Sequence, residues 1–320
     1  MIDANSSRLL FVNYHYIRNP NAYAYPGIHS LSMQSFREQV AWMGERFHFA
    51  TPDQVEAFLL GGVPLPGASV FLTFDDGLVD HWQATCEVLD PLGIRAGYFV
   101  CSRPAIEGRV LSVHKVHWLR SHTEPDAFAA EFFSYVPAEL QPAPDAPWLE
   151  AAQRAYVYDT KAAAQLKYAL NFVLPSGLVD DITSTMMAKR GIDEGEFCRG
   201  LYMGDAELRS LVKQGHALGV HGHTHEPFSR LGDNLFKEIQ TNREYLSSAS
   251  GRLPRWVSYP YGRKDAIPAP DTLNRLFSEF DFRLGFTLLG SWNDGTQDRR
   301  QLHRVNTNDV EDAVRMLSSN

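Results

Sequence analysis

Cysteine is scarce in this 320-residue chain. Cys86, Cys101 and Cys198 stand far apart, and no Cys-x-x-Cys occurs. That excludes a disulfide-stapled scaffold and a thiolate zinc site. Basic charge is not in excess either, since 30 Lys+Arg against 38 Asp+Glu leave a net charge of −8. This balance argues against a general binder of nucleic acid or of anionic membranes. No apolar run is long enough to span a bilayer as a helix. The run Leu9-Leu10-Phe11-Val12 is too short for a signal h-region and lacks a basic segment before it. From these absences the chain is expected to be a soluble cytoplasmic protein.

What is present is ordinary in amount: 44% apolar and 21% charged residues. A chain of this size can bury a large core without staples. Strand-like and helix-like segments alternate. Leu9 to Tyr14 is apolar and β-prone, and Ser32 to Phe47 carries a helical stripe at Phe36, Val40, Met43 and Phe47. Thr51-Pro52 opens a second helix that Gly61 closes. Ala68 to Phe74 reads as a buried strand, Val79 to Leu89 as a helix and Arg95 to Val100 as a strand. Short strands follow at Ala217 to His221, Trp256 to Tyr259, Leu284 to Leu288 and Leu302 to Val305. This alternation predicts a parallel sheet covered by helices. The rhythm breaks between about residues 103 and 202, where Pro137, Pro142, Pro144 and Pro147 mark a loop between helical patterns. We read that stretch as an insertion within a single domain of residues 1–320. It leaves and returns near strand ends on the same side as the motifs below, so it is expected over that face as a lid.

Two motifs carry chemistry. The first is Thr73-Phe74-Asp75-Asp76-Gly77, directly after a buried strand. Parallel α/β folds place their sites at such strand ends, although an Asp-Gly turn beside a helix cap has the same look. The second is His221-Gly222-His223-Thr224-His225. One helical turn would aim His221 and His225 the same way, and His223, pointing elsewhere, reads as structural. One carboxylate and two imidazoles make a facial metal triad with open positions. The spare carboxylate is then free to act as a base toward a metal-activated water.

At these residues the sequence resembles the NodB-homology polysaccharide deacetylases, carbohydrate esterase family four. That family carries Thr-Phe-Asp-Asp-Gly and His-(Ser/Thr)-x-x-His, and here Gly222 replaces the hydroxyl residue. The resemblance implies a deformed (β/α) barrel. It implies Asp75 as catalytic base, and Asp76, His221 and His225 as ligands of a divalent metal, zinc first. It also implies hydrolysis of an N-acetyl group on an amino sugar, in the setting of cell-surface polysaccharide synthesis. The third family motif is matched by Pro260-Tyr261-Gly262, with Ser258 where the base-orienting arginine usually stands. The Tyr261 backbone N–H is the implied oxyanion donor. Arg304 as a replacement for the missing arginine is the weaker idea, since an arginine in a closing strand more often serves structure.

The acid has two candidates. Leu302-His303-Arg304 departs in spacing from the family's last motif. Asn13-Tyr14-His15-Tyr16 resembles the first strand of the circularly permuted poly-N-acetylglucosamine deacetylases, which implies His15 as the acid. Rival readings stay open: a deformylase or amidase with the same metal site, and a catalytically dead carbohydrate-binding protein. An iron oxygenase is disfavoured because its His-x-Asp spacing is missing.

Overall fold

The structure, a computed structural model, describes residues 7–25, 27–141, 146, 148–155 and 160–317. Pro142, Pro144 and Pro147 lie outside the described residues. The chain forms two compact units. One comprises residues 1–18, 30–107 and 199–320, and the other residues 19–29 and 108–198.

Among the described residues the larger unit is built on eight strands: β1 (Arg8–Tyr14), β2 (His48–Phe49), β3 (Ala68–Asp76), β4 (Ala96–Val100), β5 (Ala217–Val220), β6 (Trp256–Ser258), β7 (Leu284–Phe286) and β8 (Arg304–Asn306). Their order is β7-β6-β5-β4-β3-β1-β8, with β2 added beside β3. Every pairing between them is parallel. A parallel bridge from Phe286 to Leu302 links β7 to the residues just before β8. The sheet therefore closes on itself as a barrel.

Alternation along the strands sorts their side chains. Leu9, Phe11, Phe71, Phe99, Trp256, Leu284 and Phe286 pack together as one core. Leu10, Val12, Tyr14, Val70, Leu72 and Phe74 belong to a second core, shared with helical residues such as Phe36, Val40 and Met43. Small residues make the narrow interior possible. A Cβ on Gly219 would sit 2.4 Å from the Phe99 ring on the neighbouring strand.

Helices α1 (Met33–Gly44), α2 (Pro52–Gly61) and α3 (Val79–Ala84) connect the early strands, and α4 (Arg103–Glu107) follows β4. Ser32 caps α1 and Thr51 caps α2 through a full capping box, with Pro52 in its first turn. The expected helix from Val79 to Leu89 is α3 followed by one wide π-type turn, Thr85–Leu89.

The smaller unit holds α5 (Ser112–Ser121), α6 (Pro125–Tyr135), α7 (Trp148–Ala155), α8 (Lys161–Tyr168) and α9 (Ser176–Lys189). Then α10 (Glu194–Leu201) leads back, and α11 (Asp205–Lys213), α12 (Leu235–Ser250), α13 (Pro270–Glu279) and α14 (Val310–Leu317) complete the chain. The core of the smaller unit is formed by Leu119, Phe128, Phe132, Leu166, Met186 and Met187 among others. Lys115 on α5 is fully buried, with Asp180 at 2.6 Å and Glu194 at 3.1 Å. Residues 19–29 belong to this unit, which sequence reading did not anticipate. The Gly27 backbone lies so close to α5 that a Cβ would stand 2.5 Å from the His117 carbonyl.

Candidate active site

The C-terminal ends of β1, β3, β5 and β6, with the first residue of β8, bring the site together. Asp75 points inward from β3 and is 2% exposed. Arg304 on β8 is wholly buried and grips it with both arms, Nη1 to Oδ1 at 2.8 Å and Nη2 to Oδ2 at 2.7 Å. Asn13 Nδ2 donates to Oδ2 at 3.1 Å and Ser258 Oγ to the same oxygen at 3.3 Å. Arg304 in turn donates to Asn13 Oδ1 at 2.7 Å and to Ser258 Oγ at 2.7 Å. Its guanidinium lies 5.5 Å from the centre of the Phe99 ring.

Thus the arginine missing from position 258 is supplied from β8, and Ser258 bridges to it. This reverses the weaker weight that the sequence reading placed on Arg304. A bidentate, fully desolvated arginine fork on one carboxylate holds that group in a single orientation. Burial alone would push the Asp75 carboxyl up. The charges of Arg304 and His221 and the Arg304 hydrogen bond outweigh it and hold the pKa at about 2. Asp75 is therefore an anion across the neutral range.

Adjacent residues of a strand face opposite sides, so Asp75 and Asp76 cannot share a site in regular β geometry. The backbone leaves that geometry at Asp76, whose φ is +80°. Asp76 Oδ1 lies 3.4 Å from His221 Nε2 and 3.2 Å from His225 Nε2. The residues from His221 to His225 do not form the helical turn that their spacing suggested. The segment is irregular, with φ of +82° at Gly222 and +67° at His225. A side chain at Gly222 would meet the Phe228 ring at 3.1 Å and Glu238 Oε1 at 3.2 Å. Glycine thus takes the place of the hydroxyl residue, and Thr224 donates its hydroxyl to Glu238 instead, at 2.8 Å. His223 turns away to Ser102 Oγ and Glu107 Oε1, each at 2.9 Å, which is a structural role.

Three of the four non-glycine residues with positive φ among the described residues are Asp76, His225 and Tyr261. Each such conformation costs on the order of 1 kcal/mol or more, and strain of this kind concentrates at functional sites.

The donor set suits a divalent cation. One ligand atom each from Asp76, His221 and His225 lie within 4.8 Å of one another, and all three residues are buried. His221 Nδ1 donates to the Ser258 carbonyl at 2.9 Å, which leaves the Nε2 lone pair facing the carboxylates. Burial would lower the His221 pKa, yet Asp75 and Asp76 raise it, so the pocket favours positive charge. Two imidazoles and one carboxylate fit zinc with open positions.

His15 follows β1 at the same barrel end and is half-buried. The Tyr261 ring lies 5.1 Å from that of His225. The His303 backbone is pinned by Asn293, its N–H donating to Oδ1 at 3.0 Å and its carbonyl accepting from Nδ2 at 2.9 Å. Sequence reading missed Asn13 and the hydroxyl of Ser258. Their one signal was a polar residue inside an apolar strand.

The family model for polysaccharide deacetylases matches residues 62–275. The chain belongs to the polysaccharide deacetylase family. Among curated proteins, this chain is 35% identical over 69 residues to the putative polysaccharide deacetylase YheN of Bacillus subtilis. That match spans 21% of this chain and 24% of YheN. Among solved structures, the Streptococcus pyogenes deacetylase PplD in complex with acetate superposes with a TM-score of 0.58 at 13% identity, over 97% of this chain and 99% of PplD. IcaB from Ammonifex degensii does so with a TM-score of 0.58 at 16% identity, over 98% of each chain. These likenesses establish the barrel fold.

Proposed function

We propose that this chain is a metal-dependent hydrolase that removes an N-acetyl group from an amino sugar or a sugar-containing precursor. The observation that supports it most is the buried Asp76, His221 and His225 set beside an Arg304-held Asp75. A divalent ion held by those three residues, zinc first, would polarise the amide carbonyl and acidify water. Asp75, anionic at neutral pH, takes the proton of the attacking water. Its Oδ1 accepts from Arg304 only, among the described residues, and so keeps a lone pair. The Tyr261 backbone N–H is assigned to the developing oxyanion. His15 delivers a proton to the leaving amine, which departs poorly unless protonated. Family membership and the acetate named in the PplD complex favour acetyl over formyl.

The test is metal analysis of the purified protein, with acetate and formate release measured across N-acylated sugars and non-sugar amides. One equivalent of divalent ion and acetate release from sugars are expected. Formate release, or turnover only on non-sugar amides, overturns the acyl or sugar assignment. Asp75→Asn is expected to keep the metal and to lose roughly 10²–10⁴ of turnover. Loss of the metal instead would exchange the roles of Asp75 and Asp76.

A further inference from the structure

His15 sits just beyond β1, where regular pairing has ended. Its backbone is nevertheless tied down: Leu31 donates its N–H to the Tyr16 carbonyl at 3.0 Å and accepts from the Arg18 N–H at 2.9 Å, and the remaining ties come from α3. His81 Nε2 donates to the His15 carbonyl at 2.9 Å. The Ile17 N–H donates to Asp80 Oδ2 at 3.0 Å. Arg18 closes on the same carboxylate with two arms, Nε to Oδ2 at 2.7 Å and Nη2 to Oδ1 at 2.6 Å. His81 is fully buried and Asp80 is 4% exposed. His81 is itself fixed, since its carbonyl accepts from Thr85 Oγ at 2.7 Å and its ring packs 5.2 Å from that of Phe74.

The donor in this contact must be the imidazole, because its partner is a carbonyl oxygen. Burial keeps the His81 ring neutral at pH 7, its pKa lowered to about 4, so Nε2 carries the proton and Nδ1 does not. The stretch from Asp75 to His81 therefore contains the base, a metal ligand and the ties on His15. A proton donor must meet the leaving nitrogen within a few tenths of an ångström, and a shift of about 1 Å can cost about 10²-fold.

We propose that Asp80 and His81 form a latch that positions His15 for proton delivery, locking the acid to the helix that follows the base. This rests on the reading of His15 as the acid. Asp80 and His81 are positioning residues, acting through the backbone of residues 15–18.

The test compares turnover and metal content of latch variants in wild-type and His15→Ala backgrounds, with the His15 ring NMR signal read where His15 is present. His81→Phe, which keeps an aromatic ring but has no donor, is expected to lower kcat roughly 10- to 100-fold. KM and metal content should stay near wild type, and the His15 signal should move. His81→Gln, which restores a donor, should recover most of the turnover. In the His15→Ala background His81→Phe should cost nothing further, because coupled residues are not additive. A full additional loss there overturns the latch, as does unchanged kcat in His81→Phe. Should His81→Phe fail to fold, Arg18→Ala, at a partly exposed residue, and Asp80→Asn make the same comparison. Near-wild-type turnover in His15→Ala sinks the acid assignment itself. An inactive His15→Ala with fully active latch variants sinks the latch alone.

Discussion

At the scale of single residues, the decisive contact is the Arg304 fork on Asp75. Both groups are out of water, so their attraction is unscreened and their desolvation is large. Arg304→Met removes one partner and strands a buried carboxylate, which costs about 3–5 kcal/mol. The Asp75 pKa then rises, because burial is no longer outweighed. Urea unfolding and kcat should fall together in this variant, with kcat down by on the order of 10². Arg304→Lys keeps the charge but cannot reproduce two parallel bonds, so it should recover stability better than turnover. Equal recovery of both would mean that the fork does not serve to orient Asp75. The same reasoning explains why Ser258 is tolerated where the family has arginine. The barrel closes β8 beside β1, so a guanidinium from β8 reaches the same carboxylate.

At the scale of elements, strand interiors set narrow limits. Gly219 on β5 faces Phe99 on β4, and Phe99 underlies Arg304. Gly219→Ala must displace a fully buried ring, so a loss of roughly 1–3 kcal/mol is expected. Because the ring supports Arg304, kcat should drop as well. Thermal unfolding with turnover measured on the same sample checks both. In the smaller unit, α5 and α9 are joined by Lys115, Asp180 and Glu194. Ser184 Oγ and Arg109 complete the network, at 2.7 Å from Lys115 and 2.8 Å from Asp180. Lys115→Ala leaves both acids short of their buried cation and should cost about 3–5 kcal/mol, read by thermal unfolding. Lys115→Met in combination with Asp180→Leu should recover part of that loss, because an apolar replacement removes the desolvation penalty as well.

At the scale of the whole molecule, acid should weaken the fold in two windows. His81 is held near 4 by burial, against an ordinary 6.5, with the Asp80 charge and the bond to His15 only partly offsetting it. Below pH 6.5 the unfolded chain takes up a proton that the folded chain refuses until about pH 4. Stability therefore falls as pH drops through that range, by roughly 3 kcal/mol. Asp75 adds a lower window. Its depressed pKa stabilises the fold fully above the ordinary 3.8, and that contribution is lost as pH falls toward about 2. Urea unfolding at pH 7 and pH 4.5 should show the first drop, and His81→Phe should flatten it. An equal drop in that variant would place the sensitive group elsewhere.

The sequence by itself determined the barrel class and the metal-site candidates. Alternating apolar strands and helices leave few arrangements, and Asp75-Asp76 and His221-x-x-x-His225 are local patterns whose chemistry reads from residue type and order. Tertiary structure decided what depends on distant partners. That Arg304 rather than residue 258 holds Asp75 follows from β8 pairing with β1, a contact between residues far apart in the chain. That Asp75 and Asp76 turn to neighbouring positions depends on one backbone torsion at Asp76. The histidine pair converges through positive φ at Gly222 and His225, not through the helical turn that its spacing suggested. Residues 19–29 joining the smaller unit, and α3 holding the backbone of His15, likewise left no local mark. Periodicity records which face of an element is buried, and it does not record which distant side chain meets it there.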